Sequence, residues 1–213
     1  MCLEEIFMKK CFLALVLVIM TTGAAFALDV AVGGGALFDY SFRNGIEGSN
    51  DDYIGFRRMG IGGVVFLDFR YVELEASFGY GSLKWVFNST EGDDTWSEGD
   101  KMLELGLGII LKFPFALSKM VVYPFVGANY LATVSWESDY RDKSKKSDLN
   151  QIGCVVGGGF DNYITNNVFV RVEAGLNIRL FPRYWSNRAK TNDYYDATIG
   201  IGPRIKAAVG VRL

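Results

Sequence analysis

Glu73 and Glu75 stand two residues apart in YVELEASFGYG, the nearest this chain comes to a catalytic carboxylate pair. Two acids can divide general acid and base work when their surroundings push their proton affinities apart. A spacing of two, however, puts both on one face of a β-strand. There they read better as interior charges than as an acid–base couple. The chain has 213 residues and no histidine. That removes imidazole as a general base and every histidine-ligated metal site. No enzyme activity, metal or cofactor is expected.

Other candidate motifs also have plainer readings. Gly33–Gly35 and the GLG at Gly106–Gly108 could cradle a phosphate, but both lie inside strand patterns and neither opens a helix. NSTEGDDTWSEGD could offer Asp93 and Asp94 to a divalent cation, yet it lacks the ligand spacing of a calcium loop and reads as a solvated loop. RDKSKKSD could touch anionic headgroups or a polyanion; a solvated loop tip is the simpler reading. Net charge is −2, so no nucleic-acid partner is expected.

The elements that would position these residues begin after a leader. Lys9 and Lys10 form a basic start, CFLALVLVIM an apolar stretch too short to span a bilayer, and Ala25-Phe26-Ala27 a cleavage site before Leu28. Residues 1–27 are read as a signal peptide and 28–213 as one domain. Glu4 and Glu5 are unusual in such a leader, which makes Met8 an alternative start to Met1. Cys2 and Cys11 fall in this segment, so Cys154 is left alone and no disulfide framework exists. No later stretch reaches 18 consecutive apolar residues. Entry into a membrane would therefore require a β-barrel.

The remaining residues alternate with period two, the strand signal. Leu103, Leu105, Leu107, Ile109, Leu111 and Phe113 oppose Glu104, Gly106, Gly108 and Lys112. Val168, Val170, Val172, Ala174, Leu176, Ile178 and Leu180 oppose Arg171, Glu173, Gly175, Asn177 and Arg179. Residues 29–42, 71–81 and 199–213 alternate as clearly; Val121–Ser135 and Leu149–Phe160 do so more weakly, and Gly55–Leu67 has an ambiguous phase. This predicts an all-β fold of eight strands. Long polar connections (RNGIEGSNDDY, NSTEGDDTWSEGD, WESDYRDKSKKSD, PRYWSNRAKTNDYYD) alternate with short ones near Asp68–Arg70, Pro114–Lys119 and Thr165–Asn167.

Alternation does not say which face points inward. The polar faces are rich in Gly, Ala and Ser, with few charges of both signs, as a narrow lumen needs and a soluble exterior does not. Aromatics such as Tyr40, Tyr80, Trp85, Phe113 and Tyr123 sit near strand ends, like interfacial girdles. Strands of about 11 residues, tilted about 45°, cross an apolar band of roughly 25 Å. These features predict an eight-stranded antiparallel up-and-down transmembrane β-barrel, with Cys154 packed on the apolar face. In an outer membrane the Asn88-Ser89-Thr90 match to a glycosylation acceptor would be idle.

KFPFALSKMVVYPFVGANY resembles the hairpin of small spirochaete-type outer-membrane β-barrel proteins. The chain after the leader resembles the broader OmpA/OmpX/OmpW-like eight-stranded class. That resemblance implies a cell outer membrane location and assembly through the C-terminal strand by the barrel-assembly machinery. The class usually ends in an aromatic residue; this chain ends in Leu213. A monomer in outer-membrane lipid is expected, serving envelope integrity and surface contact, with adhesion of a host or surface ligand through its loops. One alternative is OmpW-like transport of small hydrophobic molecules, with Leu37, Tyr123, Phe125 and Phe169 in lumen phase. Another is a soluble periplasmic binding barrel. Asp29, Glu73, Glu75, Lys112, Arg171, Glu173 and Arg212 are expected to meet as a charge network that plugs the periplasmic half of the lumen.

Overall fold

The computed structural model describes residues 29–47, 53–88, 94–96, 100–137, 150–181 and 198–213. The expected leader and most of the long connections, including 97–99, 138–149 and 182–197, lie outside the described residues. Every regular element among the described residues is a strand: β1 (Ala31–Glu47), β2 (Tyr53–Asp68), β3 (Val72–Asn88), β4 (Asp94–Trp96), β5 (Asp100–Lys112), β6 (Phe115–Leu117), β7 (Met120–Glu137), β8 (Gln151–Tyr163), β9 (Val168–Phe181) and β10 (Thr198–Arg212).

Eight of these are long, and each pairs antiparallel with the long strands before and after it in the chain. Pairing of β1 with both β2 and β10 closes the ring, so the barrel has no open edge along its wall. The register fixes its shape. From Phe42 the paired residues run through Ile201, Ile178, Cys154, Ala128, Ile109, Leu74 and Leu67, and return to β1 at Val32, ten residues from the start. That offset tilts the strands, and a ring of eight leaves an interior just wide enough for side chains to fill.

The faces follow the alternation. Outward residues include Ile61, Phe78, Leu105, Leu107, Ile152, Leu176 and Val209, all more than half exposed or close to it. Inward residues include Glu73, Glu104, Arg171, Asn177 and Lys206, all buried. In β2, where the pattern is ambiguous, Arg58, Val64, Phe66 and Asp68 point inward and Met59, Ile61 and Val65 outward. Cys154 lies exposed on the outward face. Gly62 and Gly79 face one another on β2 and β3. A Cβ on Gly62 would come within 2.1 Å of the Phe78 carbonyl oxygen, so the strands curl too tightly there for any side chain.

Three connections differ from the sequence reading. β1 and β2 extend to Glu47 and from Tyr53, so the first is shorter than RNGIEGSNDDY. In the second, β4 adds to the end of β3. The segment Pro114–Lys119 is not a simple turn: β6 pairs with Met120–Val122, and the chain reverses at Ser118-Lys119, with Ser118 at φ 53°. Pro124 lies opposite the break between the β5 and β6 ladders, where a missing N–H costs least. Its carbonyl accepts from the Phe113 N–H at 3.1 Å.

The face assignment has a direct test. Leu107→Lys should destabilise the barrel by about 2–4 kcal/mol at mid-depth in a bilayer. Gly62→Leu should cost about 1–3 kcal/mol by overpacking the inner wall. Urea unfolding in lipid vesicles measures both; a neutral Leu107→Lys would refute an outward Leu107.

Candidate functional site

The alternation that turns apolar side chains outward leaves the charged ones inside, where little water can reach them. They resolve the problem by pairing. Arg171 on β9 is fully buried. Its guanidinium bonds Asp161 on β8 at 2.6 and 2.7 Å, Asp68 on β2 at 2.5 Å, and Glu73 on β3. β3 and β9 are the third and seventh long strands, opposite in a ring of eight, so the Arg171–Glu73 pair crosses the lumen. The guanidinium also lies 4.5 Å from the Phe66 ring centroid and 5.1 Å from that of Phe169, contacts that favour a desolvated cation.

Lys206 on β10 is the second hub. Its ammonium bonds Glu73 and Glu75, the latter at 2.7 Å, and lies 2.6 Å from Glu173 Oε2, though not aligned with it for a hydrogen bond. Glu73, Glu75 and Glu173 place carboxylate oxygens within 4.8 Å of one another, a spacing that could hold a metal ion. The Lys206 ammonium already supplies the positive charge there. Lys112 bonds Asp68 and lies 3.1 Å from Glu73. Arg204 bonds Glu75 at 2.5 Å, and the Tyr123 hydroxyl donates to Glu173 at 2.9 Å.

A second tier lies toward the opposite end of the strands. Arg58 on β2 bonds Asp39 and both oxygens of Glu104. Arg179 bonds Asp39 at 2.6 Å and Gln151 at 3.1 Å. The two tiers lie at two depths of the interior.

Five of the seven residues expected in the network do meet: Glu73, Glu75, Lys112, Arg171 and Glu173. Asp29 and Arg212 do not join them. They pair with each other at the rim, with side chains 29% and 45% exposed. Arg212 lies six residues beyond Lys206 on a descending strand, which carries it past the buried layer. Asp39, Arg58, Asp68, Glu104, Asp161, Arg179, Arg204 and Lys206 join the ion pairs beyond the seven expected residues. Most of them are in inward phase; the glycine-rich β2 hides the phase of Arg58, and Asp68 stands beside a turn. At the short-turn end a cavity of about 710 Å3 opens outward, walled partly by Asp29, Arg212, Pro114 and Tyr163, with Lys112 and Arg171 at its base.

A closed eight-stranded ring with an apolar exterior and a charged interior is the architecture of an outer-membrane barrel. A family model described as "Outer membrane protein beta-barrel domain" matches residues 11–203. The chain belongs to that family. It is an outer-membrane protein, and in that architecture short turns lie at the periplasmic end. The solved structure of the outer membrane protein OprG from Pseudomonas aeruginosa is similar at a TM-score of 0.51 and 12% identity, covering 88% of this chain and 96% of that one. Neisserial surface protein A gives 0.46 and 12%, covering 87% and 97%. Ail of Yersinia pestis, in complex with the heparin analogue sucrose octasulfate, gives 0.40 and 12%, covering 87% and 99%. No curated protein matches the chain.

Breaking either hub should be costly. Arg171→Ala leaves Glu73, Asp68 and Asp161 short of a cation and should destabilise the barrel by about 3–5 kcal/mol. Exposed Arg70→Ala should cost less than about 1 kcal/mol; equal losses on urea unfolding would deny the hub. Lys206→Met leaves three facing carboxylates without their ammonium. Its stability should fall at neutral pH and recover on acidification, as protonation removes the repulsion; an unchanged pH profile would count against Lys206 as the neutralising group.

Proposed function

We propose that this protein is a closed, non-conducting barrel that serves envelope integrity and surface contact through its lipid-facing wall and loops. The Arg171–Glu73 pair across the lumen carries this reading, because a solute would have to break it to pass. The Arg58–Glu104 pair repeats the obstruction nearer the cell surface. The barrel acts as a monomer in outer-membrane lipid, assembled through β10, and its polar surface loops offer the contact with a host or surface ligand. No catalytic step is assigned.

Transport of small hydrophobic molecules would need a continuous apolar funnel. Among the described residues, Val64, Leu83, Met102, Leu131 and Trp136 are buried apart from two groups of buried apolar side chains, Ile110, Tyr123, Phe125 and Val155 on one wall, and Ala31, Phe66, Phe169 and Ala208 on another. Each abuts the ion pairs rather than bypassing them. This weighs for the closed barrel.

In planar bilayers the wild-type protein should give few and small single-channel events. Steady large currents would overturn the plug. Deleting 139–148 while the barrel still assembles, as shown by heat-modifiable migration on an unboiled gel, should reduce surface adhesion. Unchanged adhesion would remove that loop from the contact role.

A further inference from the structure

The apolar exterior is not level at its periplasmic edge. On β1 it runs from Val32 to Phe42, and ten residues at ~3.3 Å each, tilted ~40°, rise roughly 25 Å, the height of a barrel's lipid-facing band. From Val32 the ladder climbs through Leu67 and Leu74 to Ile109. Four further residues down β5, to Phe113, bring the chain back to about the level of Val32. Phe113 thus marks the foot of the band on that side.

Apolar residues continue below it. The outward phase runs unbroken from Phe113 to Phe115 and Leu117 on β6, about 10 Å further down by the same rise and tilt. Phe115 is 59% exposed and Leu117 53%, close to the 67% of mid-band Leu107. The next turn adds Ile164 and the chain end adds Leu213, both exposed. These lie side by side: Tyr163 donates its N–H to the Lys119 carbonyl, and Arg212 to that of Asn167. The β2–β3 turn is shorter, and its exposed residues are Arg70 and Tyr71.

We propose that this ledge, which runs from β6 past the turn at Ile164 to Leu213, is immersed in the inner leaflet and is clasped there by phospholipid. Continuity with the lipid-facing wall identifies the occupant. The same strands, in the same phase and with the same apolar residue types, run from the band onto the ledge without a polar outward position between Leu103 and Leu117. Large apolar side chains left in water are unfavourable, and a longer apolar stripe is accommodated by tilt or by local thickening of the bilayer. Exposed Lys119 at the hairpin tip then meets the phosphates of the headgroups, as cationic side chains at a membrane edge do.

The test uses the protein extracted from the outer membrane and reconstituted in phosphatidylethanolamine–phosphatidylglycerol vesicles. In a Cys154→Ala background, spin labels are placed by Phe115→Cys, Leu117→Cys, Leu107→Cys and Arg70→Cys. Oxygen accessibility relative to a water-soluble nickel complex should be several-fold higher at 115 and 117 than at 70, and similar to that at 107. Labels at 115 and 117 that match position 70 would overturn the proposal and leave the ledge free for a periplasmic protein. Should a label perturb the hairpin, Leu117→Trp gives an independent readout. Its fluorescence should be quenched by lipids brominated on the acyl chain, and no quenching would equally overturn the immersion.

Discussion

The constraint on which the rest depends is the closure of eight strands with a register offset of ten. It decides the bore before any side chain is placed. A wider ring could hold water and let interior charges be solvated one by one. This ring cannot, so each inward charge has to find another within reach. The positions of Arg171 and Lys206 follow from that. Each projects from one wall to acids on several others, and each is long enough to span a lumen whose nearer neighbours include Gly106, Gly108 and Gly153. Small residues at some inward positions make room for large charged ones at others.

The solvent arrangement also explains why such an interior is tolerated. In a soluble protein a buried ion pair competes with an apolar core that would be at least as stable. Here the apolar surface is used outside, against lipid, and the interior gains nothing from a further supply of it. What the ion pairs add is selectivity of register. A slip of one residue would turn Glu73, Arg171 and Lys206 into lipid and Leu74, Val172 and Ala207 into the lumen. Long strands with glycine-rich stretches, such as β2 and β8, need that specification, because their own side chains define a face poorly.

The limits of the sequence reading follow from the same physics. Period two separates the faces of β3, β5, β9 and β10 because each alternates large apolar residues with small or charged ones. It leaves β2 ambiguous, since Gly60, Gly62 and Gly63 carry no side chain to report a phase; there the partner strands decide. Membership of the charge network could be read by phase but not by depth. Asp29 and Arg212 share the inward phase with Glu73 and Arg171, yet lie at the rim, because depth depends on the register offset summed around the ring. A single sequence carries no such sum. The β6 hairpin was obscured for a different reason. Pro114 marks the end of one ladder, and local turn chemistry does not tell that a second, shorter ladder begins three residues before the chain reverses.

Seen together, the lumen and the ledge divide the molecule's chemistry by medium. Ion pairs fill the one region from which lipid and bulk water are both largely excluded. Apolar residues cover every described outward position from Leu103 to Leu117 and from Ile199 to Val211. Solvent-exposed charge lies at the ends, as with Arg70 and the rim pair of Asp29 and Arg212. The two ends of the barrel offer different surfaces to water and lipid. The periplasmic end presents an apolar step beside a charged vestibule, whereas the sequence of the long connections is polar and carries no apolar run.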